Sequence, residues 1–351
     1  MKELIEALAA TAAHHDQTGA FPHDGIRRVH EAGLLTVTVA ERHGGPAVRP
    51  AELAGILRDL GRGDPSVALI TSMTQLPHLL QAHRPIWPEG LYRRILDESA
   101  ARPTLLNICR VEPDLGSPSR GGRPATTARR TGAGWSLTGH KRFVTGAEGL
   151  AYFLVWAATD EPEPRIGTFV VPAESPGIEI VRTWDPLGLR ASGSHDVVFR
   201  DVLIPYDHGL DLGGTRPDSA ALHLPLAAIY LGVARAAQEY FHRFARERVP
   251  ANLGRPVATT DRFKAAAGEI ETLLSTAEHL LLTADDPLTA RVIVNRHAVA
   301  AVTLAVRMLG NPGLSRGNPL ERHFRDVQSA LVHAPQEDVS LLAIGAAALA
   351  E

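Results

Sequence analysis

The spacing of apolar residues changes twice along this chain, and that change limits the folds open to it. Over residues 1–100 apolar side chains recur at helical intervals. Ile5, Leu8 and Ala12 come first, then Ile26, Val29 and Leu34, before a Gly-Gly-Pro break at Gly44–Pro46. Ala51–Leu60, Ser66–Ala82 and Leu91–Asp97 read as further helices. Residues 101–212 instead carry short runs rich in β-branched and aromatic residues: Thr104–Cys109, Ala125–Arg130, Trp135–Thr138, Arg142–Thr145, Tyr152–Ala157, Thr168–Val171, Ile178–Val181 and Val197–Phe199. Turn residues such as Thr131-Gly132-Ala133-Gly134 separate them, as in an antiparallel barrel or sandwich. Helical spacing returns over 213–351. Asp218 and Ser219 are placed to cap a long helix ending near Arg248, and Thr260 and Asp261 a second one ending near Thr283. Leu288–Leu309, Leu320–Leu331 and Glu337–Leu349 complete an Ala-rich bundle. The expected class is α+β, with a helical domain at 1–100, a β domain at 101–212 and a helical bundle at 213–351.

Composition excludes several function classes. The net charge of −3 gives no basic field for nucleic acid. A single cysteine, Cys109, leaves no disulfide framework and no Cys-rich metal site, so no metal is expected. Glu3 and Glu6 interrupt the first apolar stretch, unlike a secretory leader. The longest apolar run, Leu224–Ala234, is shorter than the roughly 18 residues of a membrane span. A soluble, cytoplasmic protein is expected.

Four motifs carry more specific information. They are Glu41-Arg42-His43-Gly44-Gly45, Val111-Glu112-Pro113-Asp114-Leu115-Gly116-Ser117, Gly139-His140-Lys141-Arg142-Phe143-Val144-Thr145-Gly146, and Leu187-Gly188-Leu189-Arg190-Ala191-Ser192-Gly193-Ser194 followed by Phe199-Arg200-Asp201-Val202-Leu203-Ile204-Pro205. Gly116 and Ser117 in a turn offer N–H groups and a hydroxyl to an anionic pyrophosphate. Phe143 and Thr145, at i and i+2, would place an aromatic wall and a hydroxyl on one face of a strand. A flat redox cofactor needs such a surface.

In content and order these motifs resemble those of the acyl-CoA dehydrogenase superfamily, and the likeness spans nearly the whole chain. It implies a non-covalent FAD, held by Val111, Gly116, Ser117, Phe143 and Thr145. It also implies a homodimer or homotetramer, in which Arg248 reaches a neighbour's FAD pyrophosphate and Gly310 its adenosine half. An electron-transfer partner or a flavin reductase would complete the cycle. The implied reaction is α,β-oxidation of an acyl thioester on CoA or a carrier protein.

The resemblance breaks at the catalytic base. In most of the superfamily a Glu stands eight residues after the Asp of an Arg-Asp pair; here the pair is Arg325-Asp326 and the eighth residue is Ala334. The alternative place, near Leu222 and His223, also lacks a carboxylate. His333, Glu337, Asp338 and His223 are the available substitutes, with His333 and Glu337 as the catalytic candidates. A branch of the superfamily that uses reduced flavin and dioxygen also lacks the Glu and carries a histidine seven residues after the pair, which is the place of His333. Reduced-flavin monooxygenation is therefore the second expectation, and a flavin-binding protein without turnover the third. His78 is a further residue that could face the flavin or pack a helix.

Overall fold

The computed structural model describes residues 1–115, 122–213 and 220–350. Gly116, Ser117, Asp218 and Ser219 lie outside these described residues. Five helices come first: α1 (Lys2–Thr18), α2 (His23–Glu31), α3 (Pro50–Gly63), α4 (Pro65–His83) and α5 (Glu89–Ala101). Eight strands follow: β1 (Leu105–Cys109), β2 (Thr127–Arg130), β3 (Trp135–Val144), β4 (Leu150–Thr159), β5 (Ile166–Pro172), β6 (Ile178–Val181), β7 (His195–Ile204) and β8 (Gly209–Leu210). The last helices are α6 (Ala220–Glu247), α7 (Asp261–Thr283), α8 (Pro287–Leu309), α9 (Pro319–Val327) and α10 (Glu337–Leu349).

The strands form one sheet in the order β6-β7-β3-β2-β4-β5-β8, with β1 beside β4. It is not wholly antiparallel: β1 and β2 both run parallel to β4, β1 beside residues 150–155 and β2 beside 158–159. The two expected strands Trp135–Thr138 and Arg142–Thr145 are one, β3. Gly139 does not break it, because a Cβ there would meet the Thr126 side chain at 2.3 Å; the glycine admits close packing. Two register irregularities, at Leu137/Gly139 and Lys141/Val144, bend β3 instead.

The N-terminal helices seat directly on the C-terminal ones. A Cβ on Gly61 of α3 would lie 2.4 Å from the Ile229 carbonyl, and one on Gly232 of α6 would lie 2.1 Å from the Arg58 carbonyl. The two helices thus cross backbone to backbone, which only glycines allow. Buried along almost its whole length, α4 lies between this layer and the sheet. Asp64 caps it by accepting from the Ser66 and Val67 N–H groups, and the Thr74 hydroxyl accepts from the Leu106 N–H at 3.0 Å. Among the described residues α8 is long and apolar enough to cross a membrane by length and composition, and half of it is buried inside the protein.

A buried carboxylate joins the sheet to α9. Asp326 accepts the Leu189 N–H at 2.8 Å, while the neighbouring Arg325 pairs with Asp16 of α1 at 2.6 Å and donates to the Leu187 carbonyl. Burial pushes the Asp326 carboxyl up to about 7. The folded state therefore holds this proton after the unfolded chain has lost it, and stability falls as pH rises from about 4 to about 7. Asp326→Asn, which keeps an acceptor for Leu189, should flatten that decline and exceed the parent in stability at pH 8, as read from urea midpoints across pH.

Candidate flavin site

The motif residues meet at the end of β1. Lys141 has no exposed side-chain surface, and its Nζ lies 2.6 Å from Glu112 Oε1. It also donates to the Trp156 carbonyl at 2.5 Å. Glu112 accepts in addition from the Ala125 N–H, the Thr126 N–H and the Thr126 hydroxyl. Burial raises the Glu112 carboxyl, but Lys141 and these donors outweigh it and hold it below its ordinary value; burial lowers the Lys141 ammonium despite its partner. The pair ties the loop after β1 to β3 and β4. The Arg142 N–H donates to the Val111 carbonyl at 2.9 Å, so Val111 is fixed to the same strand.

Phe143 and Thr145 do not share a regular strand face. Phe143 sits at the irregularity of β3 with φ 54, in the left-handed region that a bulky residue rarely enters, and is 51% exposed. Thr145 lies beyond the strand and is buried. Its hydroxyl is 3.0 Å from Ser194 Oγ, which lies 2.8 Å from Ser192 Oγ, and its carbonyl accepts from Asn107 Nδ2 at 2.9 Å. Asn107, Ser192 and Ser194 received no role from sequence, although both serines stand in a quoted motif. The Arg142 guanidinium lies 4.9 Å from the centre of the Phe143 ring, and Trp184 meets the ring edge-on at 6.1 Å. A strained, outward-facing aromatic beside a chain of three hydroxyls fits a flat cofactor with polar edges.

The other predicted residues lie on the helices. Exposed just beyond α6, Arg248 has no side-chain hydrogen bond or ion pair among the described residues. Gly310 ends α8 with φ 68 and ψ −145, a conformation for glycine, and open space surrounds its Cα. His78 is fully buried, 3.0 Å from the Tyr92 hydroxyl and edge-on to its ring, which is the geometry of helix packing. His223 is half-buried in the first turn of α6. Glu337 pairs with Arg296 of α8 at 2.7 Å. His333 is half-buried, with Nδ1 2.9 Å from the Tyr230 hydroxyl. Arg291 of α8 donates to the carbonyls of His333 and Ala334 at 2.7 and 3.1 Å. No hydrogen bond or ion pair joins these helical residues to Phe143 or Thr145 among the described residues; Asp326 links α9 to the sheet loop.

A cavity of about 390 Å³ adjoins β1 between the end of α4 and the sheet, with Leu80, Trp87, Ile108 and Leu154 in its apolar lining and Arg110 and Thr168 among its polar groups. Nothing in the sequence spacing marks it, because its walls come from five separate elements.

Comparison with known proteins identifies the scaffold. Residues 2–82, 108–202 and 223–349 match the N-terminal, middle and C-terminal domains of acyl-CoA dehydrogenase. The chain belongs to the acyl-CoA dehydrogenase family. It is 33% identical to YdbM of Bacillus subtilis (strain 168), which carries a provisional acyl-CoA dehydrogenase name, over 98% of this chain and 94% of that one. It is 28% identical to the amino sugar nitrososynthase DnmZ of Streptomyces peucetius, over 94% and 86% of the two chains. Among solved structures it is similar to KijD3 in complex with FMN and a dTDP-amino-keto sugar, with TM-score 0.80 and 28% identity over 99% and 91%. The protein is therefore a flavin-dependent oxidoreductase of this fold.

The buried pair and the strained ring give two expectations. Lys141→Met leaves Glu112 as a buried charge without its cation and should cost about 3–5 kcal/mol, and adding Glu112→Leu should not recover most of it, because the Ala125 and Thr126 N–H groups then lose their acceptor, as read by chemical denaturation. Phe143→Ala should weaken flavin binding roughly tenfold, the loss of about one aromatic contact, in a titration of flavin absorbance.

Proposed function

We propose that this enzyme uses reduced flavin and dioxygen to oxidise a small substrate, with His333 as the polar side chain at the reacting centre. The observation that carries this is the missing carboxylate. Ala334 cannot accept a proton, and Glu337 is held by Arg296 at 2.7 Å in a partly exposed ion pair. An acyl-thioester dehydrogenase needs a base within hydrogen-bond reach of the α-carbon. The nitrososynthase name of DnmZ and the FMN bound by KijD3 support the oxygen-using reading.

The flavin supplies two-electron reduction of oxygen or oxidation of substrate when bound. The chain's own residues bind and orient it: Phe143 supplies an apolar wall, Thr145 and Ser194 hydroxyls at its polar edge, and Val111 a fixed backbone. This reading assigns Gly116 and Ser117, which lie outside the described residues, to the phosphates of the cofactor. The cavity beside β1 would hold the apolar part of the substrate. FAD is the proposed form, because exposed Arg248 and the open turn at Gly310 suit the diphosphate and adenosine of a cofactor shared with a second copy of the chain. A dehydrogenase acting on an acyl thioester, with an electron-transfer protein as acceptor, is the second reading, favoured by the 33% identity to YdbM.

The two readings separate by electron flow. Under the first, oxidised flavin keeps its absorbance when butyryl-CoA is added anaerobically, while chemically reduced enzyme consumes dioxygen with product formation from an amino-sugar nucleotide or an aromatic substrate. Anaerobic bleaching by butyryl-CoA would favour the second. His333→Ala should lower turnover at least roughly tenfold. Unchanged turnover in that variant, with loss in Glu337→Gln, would transfer the role to the carboxylate. FAD should bind more tightly than FMN, and Arg248→Ala should remove the difference.

A further inference from the structure

Side chains from two helices hold His333, one at its ring and one at its carbonyl, and their proton inventory limits what the imidazole can do. Tyr230 of α6 is fully buried, and its hydroxyl lies 2.9 Å from His333 Nδ1. Among the described residues that nitrogen is the only hydrogen-bond partner of the hydroxyl. Arg291 of α8 is 2% exposed and donates to the His333 and Ala334 carbonyls, and one of its terminal nitrogens is buried with no partner. No carboxylate pairs with this guanidinium among the described residues.

We infer that Tyr230 and Arg291 are positioning residues that keep His333 a neutral hydrogen-bond donor through Nε2, so that it assists by donating to an anionic oxygen and not by taking a proton. The inference rests on the reading of His333 as the group at the reacting centre. Its first step is the Tyr230 proton. If the hydroxyl donates to Nδ1, both groups are satisfied and the imidazole carries its own hydrogen on Nε2. If Nδ1 carried the hydrogen, the buried Tyr230 proton would have no acceptor, which costs about 1–3 kcal/mol. A base acting through Nε2 needs that second tautomer.

Charge is the second step. A base becomes an imidazolium, and here it would stand beside a buried guanidinium with no anion between them. Burial, with Arg291 next, pushes the imidazole down to about 4, so it stays neutral near pH 7. Asp326, the acid whose charge bears on Tyr230, accepts the Leu189 N–H and is itself pushed up by burial. A neutral donor, by contrast, gains from the nearby cation when negative charge develops on an oxygen in front of it. Arg291 and Asn295, four residues apart on α8, fix the carbonyls of 330, 333 and 334, so the backbone that carries the ring is held in place while the Tyr230 hydroxyl sets its orientation.

The test is nitrogen NMR of the full-length, flavin-loaded protein with labelled histidine, the His333 signals being assigned with His333→Gln. The expected result is the Nε2–H tautomer at pH 7, with no protonation between pH 8 and 5. Tyr230→Phe should release the tautomer preference. Arg291→Gln should raise the apparent pKa by about one unit or more, and Arg291→Lys should restore it; a purely structural role would move neither signal. An Nδ1–H tautomer in the parent protein, or protonation near pH 6.5, overturns the inference. The expected tautomer together with unchanged turnover in His333→Ala supports the positioning of the ring and overturns only the role given to it under the proposed function.

Discussion

A buried lysine and a buried glutamate hold the candidate flavin face together. Through one carboxylate, Glu112 gathers the end of β1, the segment at Ala125–Thr126 and Lys141 of β3, and Lys141 adds the Trp156 carbonyl of β4. An apolar pair of the same volume could fill the space, and such replacements are often neutral or stabilising. It could not specify direction. The two charged groups make five short, oriented bonds, and these fix where β3 bends. The bend puts Phe143 in its left-handed conformation, outward and strained. Strain of this kind persists only where surrounding structure over-determines it. The ion pair, with Lys141 two residues before Phe143 in the same strand, is part of that structure.

A second clamp connects that face to the helices. Gly188 lies against the Arg325 backbone so closely that a Cβ would fall 2.4 Å from its carbonyl oxygen, and the adjacent Leu189 N–H is bound by Asp326. Arg325 then reaches Asp16 of α1. The Arg325-Asp326 pair is therefore a three-way joint between sheet loop, α9 and α1. Helix α9 ends at Val327, and one 3-10 turn, Gln328–Leu331, then leads to the segment carrying His333.

Much of the architecture was legible because each layer has its own period. Asp261–Thr283 and Glu337–Leu349 have the ends expected from their caps and apolar spacing. Boundaries slipped where tertiary contact overrode local signals. Gly139 looks like a turn but is a packing contact, and α5 runs beyond Leu91–Asp97 because Glu89 and Ala101 extend it at either end. The site was less legible. Glu112 and Lys141 were visible as motif letters, yet 29 residues separate them and no spacing rule pairs them. Tyr230 gave no signal, since a tyrosine in an apolar helix reads as core until its hydroxyl partner is seen. The alternation argument for Phe143 and Thr145 failed because it assumes an unbroken pleat, and β3 is irregular at that point.

The same side of α8 sets the electrostatics of the segment around position 334. Arg291 and Asn295 bind the carbonyls of 330, 333 and 334, and Arg296, the next residue, binds the Glu337 carboxylate at 2.7 Å. The segment is thus strung along a helix that supplies only donors to it. A carboxylate brought inward would meet Arg291, whose buried charge would hold it ionised but also hold it fast, as Arg296 holds Glu337. A proton acceptor bound to a guanidinium is a weak base, because its charged form is already stabilised. A neutral imidazole escapes this: it has no charge for Arg291 to bind, and the cation strengthens its N–H as a donor. Under the proposed function, the cations of this helix therefore favour donation to an anion as the chemistry of His333.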